Sequence, residues 1–162
     1  MTYSRSKPVV AQGSDPRILK FDKNGMYVTS RALPHANGTY PTLHSIIITP
    51  KGEVWAADRQ ERMIKVFDTN LNPIREMQET KLVSGLFVDA KGQVWMSGGM
   101  DGRILKLADD GKVLGWIGAP GRNTDANDPG IGEAHYLAVT PDESTIYLAD
   151  SNNGKIMEWK HN

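Results

Sequence analysis

Two of the chain's four histidines stand at matching points of matching segments: His44 in LHSIII and His135 in AHYLAV. Each opens an apolar run of strand type, so a polar, metal-capable ring sits at the mouth of a segment suited to burial. A neutral imidazole can ligate a transition metal, move a proton near neutral pH, or cap the strand through a loop carbonyl. Arg59 follows Asp58 in AADR. Its guanidinium is permanently charged and carries a fork of donors suited to developing negative charge; the plain alternative is an exposed loop arginine. Glu133 precedes His135 by two residues, where a carboxylate could serve as general base or added ligand. Tyr136, beside His135, and Tyr40, shortly before His44, offer phenolic protons or else pack into the interior.

Other polar groups read more simply. His35, in ALPHANGTYP, has no strand after it and reads as a loop residue, and His161 lies at the C-terminal end. Asp58 and Asp150 end short strands, where an aspartate caps the following turn. The acidic segment NTDANDPG could take Ca2+ through Asp125, Asn127 and Asp128, but its spacing is not that of an EF-hand, and a solvated turn accounts for it. Ser84, in LVSGLF, lacks the flanks of a nucleophile elbow, and no glycine-rich nucleotide loop is present. With no cysteine, thiolate sites and disulfides are excluded. Lys+Arg and Asp+Glu each number 19, so no basic field exists to attract nucleic acid. No run approaches a membrane span and no signal-peptide pattern opens the chain, so a soluble protein is expected.

Internal repeats position these groups. Val54-Trp55 and Val94-Trp95 lie 40 residues apart, and the same offset carries Gly52 onto Gly92 and Ile64 onto Ile104. A third copy places His135 on His44 at an offset of 91; one inserted residue in PDEST then carries Asp58 onto Asp150. An incomplete copy opens the chain in PVVAQGSDPRILKFDKNGMYV. Each unit reads as an apolar strand buried on both faces, a turn (PKG, AKG or PDES), a second short strand, a polar loop, a half-exposed third strand and a fourth leading outward. Units of roughly 40 residues with four short strands each predict an all-β chain of β-propeller blades. The expected divisions are a partial blade at about 8–31, blades at about 42–78 and 82–118, and a partial blade at about 133–160.

LHSIIITPKGEVWAADRQERMIKVFD resembles an NHL-repeat blade, and the chain is similar to the catalytic propeller of the peptidyl-hydroxyglycine amidating lyases and their bacterial relatives, from about Val9 to Lys160. The resemblance implies that His44 and His135 bind zinc, or another divalent transition metal, and that Arg59 faces the active site. That family uses three such histidines, of which two are matched here. It also has a catalytic tyrosine where this chain carries AQGSDPR, with Gly13 and Ser14, so Tyr136 and Tyr40 are the stand-ins. Relatives are largely secreted.

The first unit lacks its innermost strand and the last lacks its outermost, so an open arc is expected. Two copies could close it head to tail as a homodimer, one chain's outer strands completing the other's last blade; the alternative is a piece of a larger six-bladed protein. Two function classes remain. One is a metal-dependent hydrolase or lyase acting in the channel on a small ester-like substrate (lactone, phosphotriester) or a hydroxyglycine. The other is a non-catalytic propeller that binds a peptide or protein, or an inactive fragment. The matched histidines favour the enzyme.

Overall fold

A computed structural model describes residues 6–11, 16–33, 41–78 and 83–160. Among them every regular element is a strand, and the strands make four antiparallel sheets. The first sheet contains β1 (Ser6–Ala11), β2 (Arg17–Asp22) and β3 (Tyr27–Ala32). The second is β4 (Leu43–Ile48), β5 (Val54–Asp58), β6 (Met63–Phe67) and β7 (Pro73–Met77). The third repeats that order in β8 (Leu86–Val88), β9 (Val94–Ser97), β10 (Arg103–Leu107) and β11 (Val113–Gly118). The fourth is β12 (Ala134–Val139), β13 (Thr145–Asp150) and β14 (Lys155–Lys160). No helix among the described residues is long and apolar enough to cross a membrane.

The sheets stack face to face, and the period of two explains how. On β5, Val54 and Ala56 point back into a core shared with Ile18 and Leu33 of the first sheet region, whereas Trp55 and Ala57 point forward into a core with Val94 and Met96. Trp95 and Ile104 then point forward onto Ile146 and Leu148. A strand covered on both sides suits apolar residues on both faces, as Val54, Trp55, Ala56 and Ala57 of β5 show; Asp58, at its end, is buried as a charged residue.

Two burial expectations change. The apolar first strands are not the deepest: Ile46, Ile47 and Ile48 are only partly buried, because β4 lies at the sheet's edge. The third strands β6 and β10, expected to be half exposed, are mostly buried because a fourth strand and two neighbouring sheets enclose them.

The turn between first and second strands needs a left-handed residue. Gly52 and Gly92 supply it at φ 81°, and Glu143 takes the same place in the third copy at φ 59°. The backbone bond that closes each turn is retained, from Gly52 N to Thr49 O at 2.9 Å and from Glu143 N to Thr140 O at 2.8 Å. The inserted residue in PDEST therefore follows the turn and leaves the start of β13 in step.

Candidate functional site

His44 and His135 enter from β4 and β12, the first strands of alternate sheets, and their rings meet edge to face with centroids 4.8 Å apart. The intervening sheet contributes backbone. Nδ1 of His44 lies 3.1 Å from the carbonyl oxygen of Ser84, the residue at the equivalent repeat position. A carbonyl can only accept, so Nδ1 carries the proton and Nε2 keeps its lone pair. Burial lowers the pKa of His44 below its ordinary 6.5; the Ser84 hydrogen bond opposes this, and the neighbouring His135 and Arg59 reinforce it. At neutral pH His44 is an uncharged base.

The close approach of β12 to β8 depends on Gly85. A Cβ there would stand 2.8 Å from the His135 carbonyl oxygen, 2.8 Å from Ser97 Oγ and 3.2 Å from the Tyr136 ring. Ser97 ties the same three segments together: its Oγ donates to the His135 carbonyl at 2.7 Å and accepts from the Gly85 N–H at 2.6 Å. Gly85→Ala should therefore push β12 outward and separate the histidines, at a cost of about 1–3 kcal/mol in stability. A denaturant titration together with the His44 and His135 NMR signals reads both effects. Unchanged histidine shifts would mean that the spacing does not depend on this glycine.

Tyr136 stacks on His44 (5.7 Å, 21°) and stands edge-on to His135 (4.9 Å, 78°). Its hydroxyl donates to the His44 carbonyl at 2.8 Å. The ring that the sequence offers as a proton donor thus holds both imidazoles in place, with its own proton already engaged.

Two aspartates hold the strand starts in the same manner. Asp58 Oδ1 accepts the N–H of Thr42, two residues ahead of His44, at 3.0 Å and that of Glu61 at 3.2 Å. Asp150 Oδ1 accepts the N–H of Glu133, two ahead of His135, at 3.0 Å and that of Asn153 at 3.2 Å. Burial works to raise the pKa of Asp150, but the backbone N–H groups of Glu133, Gly132 and Asn153 outweigh it and keep the pKa low. Asp58 also meets Lys65 Nζ at 3.1 Å, and Lys65 reaches Glu61 at 2.5 Å.

The residues following and framed by these caps face one another. Arg59 pairs with Glu133 at 2.5 Å across 74 residues of sequence, in a site that leaves both side chains partly covered. The structure thus gathers His44, His135, Tyr136, Arg59 and Glu133 into one cluster. Gly85, Ser97 and the Ser84 carbonyl are the contributors that sequence reasoning missed. The glycine in LVSGLF is the only visible trace of the first of them.

Two imidazoles that share one zinc, each bonded at about 2 Å, hold their centroids roughly 5 Å apart, so the observed pair could occupy two positions on one ion. A catalytic zinc takes three protein ligands. Among the described residues no three His, Cys, Asp or Glu side chains are placed to hold one metal ion, and Glu133 is engaged by Arg59. The described residues of one chain therefore do not by themselves fit a resident metal. His35, Tyr40, His161, Gly13 and Ser14 lie outside the described residues. In the acidic loop, Asp125 and Asp128 accept N–H groups of the loop itself, and the Lys155 ammonium sits on the Asp128 carbonyl at 2.7 Å. Those oxygens serve a turn, and the added ammonium disfavours Ca2+ there.

No protein-family model matches the chain and no curated protein matches it, so the NHL and amidating-lyase resemblance gains no support from those comparisons. Solved structures do match. A protein of unknown function from Bacteroides caccae aligns with a TM-score of 0.73 at 11% identity, over 94% of this chain and 58% of that one. A catalytically inactive His-to-Ala variant of virginiamycin B lyase from Staphylococcus aureus, solved with quinupristin, aligns at 0.62 and 16%, over 99% and 58%. Kuenenia stuttgartiensis hydrazine synthase aligns at 0.66 and 14%, over 89% and 40%. The chain spans less than two thirds of each of these proteins. At such identities the likeness shows the fold alone, an all-β arc of propeller type.

Proposed function

We propose that this arc carries the active site of a propeller enzyme, a hydrolase or lyase acting on a small ester-like substrate such as a lactone or a phosphotriester, or on a hydroxyglycine. The observation that carries the reading is the contact between two repeat-equivalent histidines, with an arginine and a carboxylate of the same two sheets beside them. His44 is neutral at working pH and presents Nε2 as the base, taking a proton from the substrate in an elimination or from water in a hydrolysis. Arg59 stabilises the developing oxyanion, Glu133 positions that guanidinium, and the proton taken up on His44 Nε2 is returned to the leaving group, by His44 itself or relayed through His135 beside it. That a histidine replacement inactivates virginiamycin B lyase, and that hydrazine synthase shares the fold, supports an enzyme by analogy only. A zinc ion or another divalent transition metal enters this reading only with a third donor from outside the described residues, and no step above depends on one.

The competing reading is a binding propeller, favoured by the way the cluster satisfies itself: Arg59 on Glu133 and the Tyr136 hydroxyl on the His44 carbonyl. Turnover of a panel of lactones, esters, phosphotriesters and hydroxyglycines decides between them, with metal content measured on the same samples. Wild type should show turnover that falls about 10^2- to 10^4-fold in His44→Ala and in His135→Ala. Its acid limb should have a midpoint below 6.5, since protonating Nε2 removes the base. No turnover in wild type, with and without added zinc, would transfer the reading to the binding propeller, and turnover that survives both substitutions would take catalysis away from this histidine pair.

A further inference from the structure

The three interfaces between sheets are copies of one another, and the repeat shows that a fourth is left half made at each end of the arc. Ile64, Ile104 and Ile156 share a repeat position on the forward face; the first two are 1% and 0% exposed, and Ile156 is 80% exposed. Trp55, Trp95 and Tyr147 share another, at 0%, 9% and 42%. Ile156 is the same residue type as its two buried counterparts, whereas Tyr147 adds a hydroxyl that donates to Glu158 at 3.3 Å. The difference is that β8–β11 cover the second sheet and β12–β14 cover the third, while among the described residues no sheet covers the fourth. The exposed side of β13 and β14 is thus an interface face that lacks its partner.

The opposite end presents the complementary half. Leu19 and Phe21 occupy the repeat positions of Leu105 and Leu107, which the preceding sheet buries almost completely. In the first sheet both are partly exposed, and Phe21 carries the exposed Tyr27 edge-on at 6.1 Å. In the core between the second and third sheets, Ile64 and Trp55 pack with Leu105 and Leu107. By the same repeat rule, Ile156 and Tyr147 require a face with Leu19 and Phe21.

We propose that a second copy of this chain is the occupant: the forward face of the fourth sheet of each copy packs against the backward face of the first sheet of the other. Two such contacts, related by a two-fold axis along the channel, close a ring of eight sheets, within the four-to-eight range of closed propellers. The pairing joins faces and does not require one chain's strands to complete the other's last sheet. Closure also brings a second His44 and His135 pair to the same channel, a source for the third donor that one chain lacks; that consequence alone rests on the function proposed above.

Sedimentation of the 162-residue chain at micromolar concentration tests the assembly, and the absence of cysteine allows the faces to be mapped. Wild type should have the mass of two 17.9 kDa chains. Ile156→Asp and Leu19→Asp should each sediment as one chain. Should either fail to fold, milder substitutions carry the test: chains with Ile156→Cys and chains with Phe21→Cys, mixed and treated with a short bismaleimide, should give a covalent pair that neither gives alone. A single-chain mass for wild type, an open-ended polymer, or cross-linking of Ile156→Cys to itself would overturn the proposal. The first of these outcomes would assign the open faces to further sheets outside this chain. Because none of these readouts involves turnover or metal, failure here is separable from failure of the catalytic reading.

Discussion

Asp58→Ala should lower the stability of the fold by about 3–5 kcal/mol, because it breaks a buried ion pair and leaves Lys65 short of a partner. Asp58 is completely inaccessible at the end of β5, and Lys65 is nearly so on β6. Burial works against the charge on Lys65, but its bonds to Glu61 and Asp58 outweigh that and hold its pKa above 10.5. The sign is that of a raised cationic pKa: this contribution is fully present below 10.5 and is lost as pH rises through the folded-state value. Part of that loss comes from the N–H groups of Thr42 and Glu61, which alanine leaves without their acceptor, at about 1–3 kcal/mol for each that water cannot reach. Glu61 still holds the ammonium, which keeps the loss from growing further.

Asp58→Asn, which keeps an acceptor for Thr42, should fall between alanine and wild type, and Lys65→Met should cost about as much as alanine. Combined with Asp58→Asn, Lys65→Met should cost clearly less than the sum of the two, since the residues act as a unit. Asp150→Ala gives the internal contrast: it caps the equivalent strand start without a lysine, so about 1–2 kcal/mol is expected. Urea titrations measure all five. A loss under about 1 kcal/mol for Asp58→Ala, at unchanged m-value, would mean that water reaches Lys65 and that the network is ordinary surface.

How much of this was legible beforehand depended on range. Val54-Trp55 against Val94-Trp95 exposed the repeat, the repeat aligned His44 with His135, and Asp58 and Asp150 announced themselves as caps because a strand end is a local event. Contacts between sheets were not legible. LVSGLF gives no hint that Gly85 is where β12 comes within van der Waals distance of β8, since that depends on the stacking of the third and fourth sheets. The same holds for the Ser84 carbonyl, whose role follows from the orientation of a ring 40 residues away. Glu133 read as a base or ligand from its distance to His135; its engagement by Arg59 appears only when the two sheets are placed together. The first strands misled for a related reason. An apolar run such as Ile46-Ile47-Ile48 signals burial, but a strand with a sheet partner on one side only buries less than a central strand of mixed composition.

The Arg59–Glu133 pair allows the electrostatics of the cluster to be tested without knowing a substrate. Arg59 acts to lower the pKa of His44 and Glu133 acts to raise it. Arg59→Met should therefore raise the His44 midpoint, and Glu133→Gln should lower it further below 6.5. The shifts have opposite signs because each substitution leaves the other charge unopposed beside the imidazole. Stability should respond weakly to either: the side chains are 25% and 13% exposed, and a solvent-screened pair of this kind contributes about 0–1 kcal/mol. Catalysis should respond strongly. If Arg59 carries the oxyanion, Arg59→Met should reduce kcat/KM about 10^2- to 10^3-fold, and Arg59→Lys should restore little, because a point charge does not reproduce the planar fork. Glu133→Gln should cost about tenfold or less if its part is to aim that guanidinium, since an amide still accepts from it. Proton NMR titration of His44 in the three backgrounds gives the midpoints directly. Midpoints that move in the same direction, or not at all, would place the pair too far from the imidazole to matter and would leave Arg59 as a clip between two sheets.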